Sequence, residues 1–539
     1  MSKALKILSR DDVETHNKDG DLWIVIDSTV YDLSKFAKLH PGGLAVLLDE
    51  DVGEHHGPFP HPTRPLTLPA GQDATTVFYS LHRHEELQKP QYQRLVIGHI
   101  ALEEPKIQPV GVGELSRVPY AESPWLNPSF HSPYYNDGHR RLQKEFRAFV
   151  DTVLYPDAQA CEAAGTDASP EVYKAMAAKK INHMRLGPGK HLHGLTLMGG
   201  VKGEDYDAFH ELIVTQELTR CGARGYGTGL GSGVFLGLPP VVNYAAEPLR
   251  SRVIDEVLNG KKVMCLAITE AFAGSDVQGM RTRADKQADG TWLINGHKKW
   301  ISAGMFADYM LLACKTYGGD GPDGAVTAFL VDRSMGFETK VVPTSYSKAA
   351  GTSYVTFDNV RVPADHVIGE EGHGLLIIFG NFNHERWYMC ASMARGSRSL
   401  IEECLLWSAQ RKVFGKPLLA QAVIRNKLAL MISKAEAMQT WIEFITFQMT
   451  KMDHRTQVKQ LAGPISFCKM QFSLWEKELV SHAAQIFGGR ALTATGMGRF
   501  VEMANRTGRF DDVLGGSGEV MGDLGVRQLI PHMPDDQKL

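Results

Sequence analysis

The 539-residue sequence contains no apolar run approaching the roughly 20 residues needed to cross a bilayer. It also has no excess of basic charge: 58 lysines and arginines face 61 aspartates and glutamates, for a formal net charge of −3. A membrane span is therefore not expected, and neither nucleic acid nor an anionic membrane surface is an expected partner. Seven cysteines are scattered without any Cys-x-x-Cys pair, which argues against a zinc site or a disulfide framework and for reduced thiols. The opening Met1-Ser2-Lys3-Ala4-Leu5-Lys6 lacks a signal-peptide apolar core and a transit-peptide bias, so a cytoplasmic location is expected. The ending Gln537-Lys538-Leu539 echoes a peroxisomal address, with Gln where a small residue belongs; the peroxisome is the weaker alternative. Boxes of the His-x-x-His-His type that a di-iron site would use are missing. The Gly-rich run at 225–233 holds no Gly-x-Gly-x-x-Gly register, because 230, 232 and 234 are not Gly. No nicotinamide dinucleotide is implied, and small residues there suit close helix packing instead.

What is present is an ordinary globular composition, 43% hydrophobic and 22% charged, on a chain long enough for about three or four folding units. Residues 5–100 alternate short strands and turns, with strands expected around Leu22-Trp23-Ile24-Val25-Ile26 and Thr29-Val30-Tyr31-Asp32-Leu33. A Pro/Val/Gly-rich linker follows. Residues 139–260 read as helical, 262–369 as rich in short strands, and from Leu375 long amphipathic helices return. Breaks are expected at Gly415-Lys416-Pro417, Gly488-Gly489 and Gly515-Gly516.

Two sets of motifs carry chemistry. The first is His40-Pro41-Gly42-Gly43, preceded by Tyr31-Asp32-Leu33-Ser34-Lys35-Phe36 and followed later by Phe78-Tyr79-Ser80-Leu81-His82-Arg83-His84. Haem iron held by two histidines needs imidazoles on opposite faces of the porphyrin, and Pro and Gly make the rigid, unusual turn that sets one of them. Over residues 5–100 the chain resembles cytochrome b5. The resemblance implies haem b with His40 and His82 as iron ligands, His84 being the alternative to His82. One stretch departs from that family. Residues 53–70 (GEHHGPFPHPTRPLTLPA) stretch the His40–His82 spacing to 42, and removing these 18 residues gives the b5-like 24. The genetic code permits splice-donor, branch and acceptor sequences at its ends, so a retained intron is one reading and a genuine Pro/His-rich loop the other.

The second set comprises Ala267-Ile268-Thr269-Glu270-Ala271-Phe272-Ala273-Gly274-Ser275-Asp276, Asn295-Gly296-His297-Lys298-Lys299-Trp300-Ile301-Ser302-Ala303-Gly304, Thr356-Phe357-Asp358-Asn359-Val360-Arg361-Val362-Pro363, Arg411-Lys412-Val413-Phe414-Gly415 and Gln485-Ile486-Phe487-Gly488-Gly489. In this order they resemble the acyl-CoA dehydrogenase family from about residue 139 to 530. Implied are FAD as cofactor and an acyl-CoA substrate, with a homotetramer or homodimer as the assembly. Thr269 and Ser302 are expected to hydrogen-bond the flavin and Trp300 to cover one face. Ser275 is expected beside flavin and thioester. Arg411, Phe414, Gln485, Gly488 and Gly489 are expected to reach a neighbouring subunit's cofactor, with Ser517 and Glu519 as further cofactor contacts.

Removing a proton α to a thioester needs a carboxylate base and donors aimed at the developing enolate oxygen. The family's usual Glu sits in a Tyr-Glu-Gly-Thr turn, but here the segment reads Leu514-Gly515-Gly516-Ser517. Some members carry the base on an earlier helix in a Glu-Arg pair, and Asn383-His384-Glu385-Arg386-Trp387 supplies one. Glu385 is thus the expected base, Arg386 a substrate contact, and the Gly515 N–H a donor to the thioester oxygen. The opposing possibility is a Glu held in a helical ion-pair network. Arg506 is expected to brace the active-site turn.

The expected segmentation is a b5-like α+β domain (1–103), a linker (104–138), a helical domain (139–262), a β-barrel-like middle domain (263–369) and a C-terminal four-helix bundle (370–539). The function expected is flavin-dependent α,β-dehydrogenation of an acyl-CoA, with electrons passed to the fused haem or to an external acceptor. The alternatives are a flavin oxidase or monooxygenase acting on a non-CoA substrate, and a non-catalytic flavin/haem redox protein.

Overall fold

The period-2 pattern of the first 100 residues folds into a five-stranded sheet, here from a computed structural model that describes residues 5–41, 44, 47, 72–231 and 233–537. The stretch 53–70 with its retained-intron reading, Gly42 and Gly43 of the first turn, and the final Lys538 and Leu539 lie outside the described residues. Strands β1 (Lys6–Leu8), β2 (Asn17–Lys18), β3 (Asp21–Ile26), β4 (Thr29–Asp32) and β5 (Val96–Ile100) run in the order β1-β5-β4-β3-β2, with only β1 and β5 parallel. Alternate residues of β3 serve two cores. Leu22, Ile24 and Ile26 pack with Tyr31, Leu33 and Tyr79, while Val25 joins Val13, Val30, Ile97 and Ile100 on the other face. A short helix, α1 (Thr75–Leu81), leads to His82.

These residues belong to a unit formed by 1–110 together with 406–421 and 488–499. Two segments that are remote in sequence thus join the N-terminal module.

The second unit comprises 111–405, 422–487 and 500–539. Within the stretch read as a linker, Ser123, Trp125 and Leu126 are buried, and Trp125 stacks on Tyr135 at 4.0 Å. The later part of that connection is therefore packed rather than loose. Helices α2 (Asp137–Phe149) and α3 (Ala208–Thr219) build a core around Leu142, Phe146, Leu212 and Ile213. In α4 (Arg224–Gly229) the glycines permit the close packing expected of them: a Cβ at 229 would stand 2.4 Å from the Ala349 carbonyl oxygen.

The middle region is an eight-stranded sheet of β6 (Met264–Ala267), β7 (Arg283–Lys286), β8 (Trp292–Ile301), β9 (Tyr309–Tyr317), β10 (Val326–Asp332), β11 (Glu338–Val341), β12 (Ser353–Val362) and β13 (Val367–Ile368). Its order is β11-β12-β8-β7-β9-β10-β13, with β6 parallel to β9. The run Tyr309–Cys314 is apolar throughout because both faces are covered: Leu311 and Ala313 face one cluster, Met310, Leu312 and Cys314 the other.

Long helices α5 (Phe382–Gln410), α6 (Ala422–Lys451), α7 (Ala462–Phe487) and α8 (Arg499–Val513), then α9 (Gly518–Leu529), complete the chain. All seven cysteines are buried free thiols. No helix among the described residues is long and apolar enough to cross a membrane.

Candidate functional site

The turn after α8 is the first piece of the site. Gly515 and Gly516 have φ of +71° and +108°, a region in which a side chain is strained. Two cations hold the turn by its carbonyls. Arg386 Nε donates to the Gly515 oxygen at 3.0 Å, and Lys469 Nζ, on the fully buried face of α7, donates to the Gly516 oxygen at 3.2 Å and the Asp511 oxygen at 2.7 Å. Lys469 is a bracing residue that sequence reasoning missed. Arg506, expected to do that job, instead pairs with Glu502 at 2.9 Å and donates to the Tyr346 carbonyl.

Glu385 enters this space from α5. A Cβ at position 515 would stand 3.9 Å from Glu385 Oε1 and 3.0 Å from Met389 Sδ, so the carboxylate lies beside the volume the glycine leaves open. Arg386 spends its Nε on the turn, and no ion pair to Glu385 occurs among the described residues. Glu385 is 6% exposed. Burial pushes its carboxyl up to about 7, against the opposing pull of Arg386, Lys469 and His384. The neighbouring His384 is itself engaged by Glu211 at 2.6 Å.

The flavin segments expected from sequence form the second piece. β12 and β8 shift register between Ser353/Ile301 and Val355/Lys298, so Lys299 and Trp300 together oppose Tyr354. Such a bulge re-aims a side chain, and Trp300, at φ +60°, is 48% exposed with Lys299 Nζ 4.5 Å above its ring. The Lys299 N–H donates to the Thr269 carbonyl at 2.9 Å, tying the two segments together. Beneath them Lys298 Nζ donates to Glu270 Oε1 and to the Ile268 carbonyl, both at 2.8 Å, while Thr282 Oγ1 donates to the same carboxylate at 2.6 Å. This buried pair, also missed from sequence, fixes the turn. The hydroxyls of half-buried Thr269 and Ser302 and of exposed Ser275 make no hydrogen bond among the described residues. Donors without internal partners beside an exposed indole fit an isoalloxazine ring.

Other expected cofactor residues lie elsewhere. Ser517 and Glu519 open α9. Gln485 is exposed on α7 and accepts from Lys427 Nζ. Arg411, Phe414, Gly488 and Gly489 belong to the first unit. Phe414, 95% exposed with φ +49°, and Gly415, at φ +75°, form the two-residue tip of a hairpin between β14 (Lys412–Val413) and β15 (Lys416–Pro417).

The first unit also holds the histidine pair. The His40 and His82 rings stand 6.1 Å apart centroid to centroid, 80° from coplanar. Two imidazoles bonded at about 2 Å to opposite sides of one metal ion would have a separation of this order, so the pair fits haem ligation. His84 points elsewhere, sharing a 2.8 Å hydrogen bond with the Tyr79 hydroxyl.

Comparison with known proteins bears on the fold and the order of the domains. The chain matches the family descriptions "Acyl-CoA dehydrogenase, N-terminal domain" at 136–261, "middle domain" at 265–360 and "C-terminal domain" at 372–530, and "Cytochrome b5-like Heme/Steroid binding domain" at 9–101. It is 34% identical to an acyl-CoA dehydrogenase, apdG, of Emericella nidulans over 79% of this chain and 98% of that protein. It is 31% identical to the acyl-CoA dehydrogenase AFT10-1 of Alternaria alternata over 77% and 96%. The solved butyryl-CoA dehydrogenase of Megasphaera elsdenii shares the fold, with a TM-score of 0.65 at 23% identity over 74% of this chain and all of that one. Matched across all three domains and by relatives covered almost end to end, the chain belongs to the acyl-CoA dehydrogenase family and carries a cytochrome b5-like domain at its N-terminal side.

Proposed function

We propose that this FAD- and haem-dependent acyl-CoA dehydrogenase delivers the electrons it takes from an acyl-CoA, one at a time, to the fused b5-like haem. The observation that carries the catalytic half is Glu385: a buried carboxylate, raised to about 7, beside the space left by Gly515. As base it takes the proton from Cα of the thioester. The Gly515 N–H donates to the thioester oxygen as charge develops there, and Arg386 and Lys469 hold that turn by its carbonyls. Bound FAD supplies the acceptor for the hydride leaving Cβ, and bound haem b supplies a one-electron acceptor. Thr269 and Ser302 orient the flavin by hydrogen bonds, Trp300 covers one face, and Ser275 stands at its thioester side. Ser517 and Glu519 complete the cofactor contacts.

The exposed Phe414 hairpin, with Arg411, Gln485, Gly488 and Gly489, supports a homotetramer or homodimer in which these residues reach a second subunit's flavin. The residues supporting the haem half are His40 and His82, not His84. Buried reduced thiols are in keeping with a cytoplasmic location.

The test is an anaerobic titration of the holoprotein with a panel of acyl-CoAs, followed in the visible spectrum. One thioester is expected to bleach the flavin and then reduce the haem bands. Bleaching with the haem left oxidised would assign the electrons to an external acceptor, and no bleaching by any thioester would overturn the assigned reaction.

A further inference from the structure

The helix that delivers His82 is finished by side chains from far along the chain. Its last turn leaves carbonyls without helical partners, as every helix end does. The Tyr79 carbonyl accepts from the Gln410 side-chain amide, and the Ser80 carbonyl accepts from Arg490 Nε at 3.2 Å. At the next residue, Gly496 approaches so closely that a Cβ there would stand 2.9 Å from the Leu81 oxygen. Just past His82, Arg83 Nη1 donates to the Met497 carbonyl at 3.5 Å. Arg490 is braced in turn, its guanidinium 4.9 Å from the centre of the Trp407 ring. The partners lie 331 and 410 residues from the carbonyls they cap, yet all belong to one unit. A generic surface contact would not converge on three successive carbonyls directly before a metal-ligand histidine.

We propose that Gln410 and Arg490 are positioning residues for the haem: by capping α1 they fix the imidazole of His82 and join segments 406–421 and 488–499 to the haem module. The proposal rests on His82 being an iron ligand, as assigned above. It goes further in naming a junction, because Arg411, Phe414, Gly488 and Gly489, assigned to the flavin, lie on the same two segments. Arg490 follows Gly489 directly, and Gln410 precedes Arg411. Haem coordination and flavin contact are thereby set by adjacent residues on each of these two segments.

The test uses full-length holoprotein in wild-type, Arg490→Lys and Gln410→Ala/Arg490→Ala forms. The readouts are the low-spin haem signal in electron paramagnetic resonance and the rate of haem transfer to apomyoglobin, with flavin absorbance reporting that the remainder has folded. The expected result is a graded order, wild type slowest to lose haem and the double variant fastest by about tenfold or more, the effect of one hydrogen bond from a charged donor. The low-spin signal is expected to broaden or decline in the same order. Arg490→Lys keeps charge and bulk while losing the Nε donor, so it serves should the double variant not fold. Wild-type haem loss and an unchanged signal in every variant that folds would overturn the proposal. Wild-type protein lacking any haem band would overturn it too, by removing the ligand assignment beneath it, and that outcome is visible before any variant is made.

Discussion

At the scale of one residue, the proposed chemistry turns on which effect wins at Glu385. Three cations lie near enough to lower its pKa, yet burial dominates and the carboxyl reaches about 7. A base with that pKa is half-deprotonated near neutral pH, where proton transfer is best matched. The rate of flavin reduction is therefore expected to rise as pH passes through about 7 and then level off, measured by stopped-flow bleaching at saturating acyl-CoA. Glu385→Gln should cost about 10²- to 10⁴-fold in that rate while leaving FAD bound. The same shift predicts a stability effect of opposite sense to the usual carboxylate. Between about 4.5 and about 7 the folded chain holds a proton that the unfolded chain has released, so stability falls as pH rises through this window and is flat above it. Glu385→Gln removes the cost of burying the charge. It should melt later than wild type at pH 8, by about 3 kcal/mol in free energy, with most of the difference gone at pH 5. Equal melting differences at both pH values would mean that the carboxyl is not raised.

At the scale of the element, the site is made of turns whose backbone is held from behind. Gly515→Ala would put a methyl 3.0 Å from Met389 Sδ and 3.9 Å from Glu385 Oε1, at φ +71°. A loss of about 1–2 kcal/mol is expected from the backbone alone, with kcat falling more than KM because the base and the donor turn are displaced together. Melting curves and steady-state rates of the purified variant check both. The turn at 267–276 depends on a charge pair instead. Lys298→Met strands Glu270 in a buried position and should cost about 3–5 kcal/mol, read as a lower melting point and a lower FAD content on purification. The motif residues in these elements were legible because each motif is contiguous in sequence. The Lys298–Glu270 pair joins residues 28 apart, one on β8 and one in the turn after β6, and two adjacent lysines in a strand read naturally as solvent-facing. The signal that could have found it is parity: Lys298 shares the inward face of β8 with Trp292 and Ile294. Lys469 was hidden for a related reason, since its partners are carbonyls of a turn and leave no charge pattern in the sequence.

At the scale of the molecule, the order of the domains was readable from composition and period, whereas membership of the first unit was not. Hydrophobic periodicity reports which face of a segment is buried, not which distant segment buries it. Nothing in the sequence around Gln410 or Arg490 points to α1, and the contacts that link them are made to backbone atoms, which every residue possesses. The consequence for function is geometric. If 406–421 and 488–499 carry residues that reach the flavin of a neighbouring subunit, electrons are expected to pass from one subunit's flavin to the haem of another. Two crippled subunits should then repair one another. His82→Ala retains the base and loses haem ligation; Glu385→Gln retains the haem and cannot reduce its flavin. Each homo-oligomer is expected to show no haem reduction by acyl-CoA. Hetero-oligomers obtained by co-expression and purified through two different tags should recover it, because the His82→Ala flavin is served by the haem of its Glu385→Gln neighbour. Haem reduction in the homo-oligomer of Glu385→Gln would remove Glu385 as base. Silence of the hetero-oligomer, with each parent's flavin and haem content intact, would confine electron transfer to a single subunit.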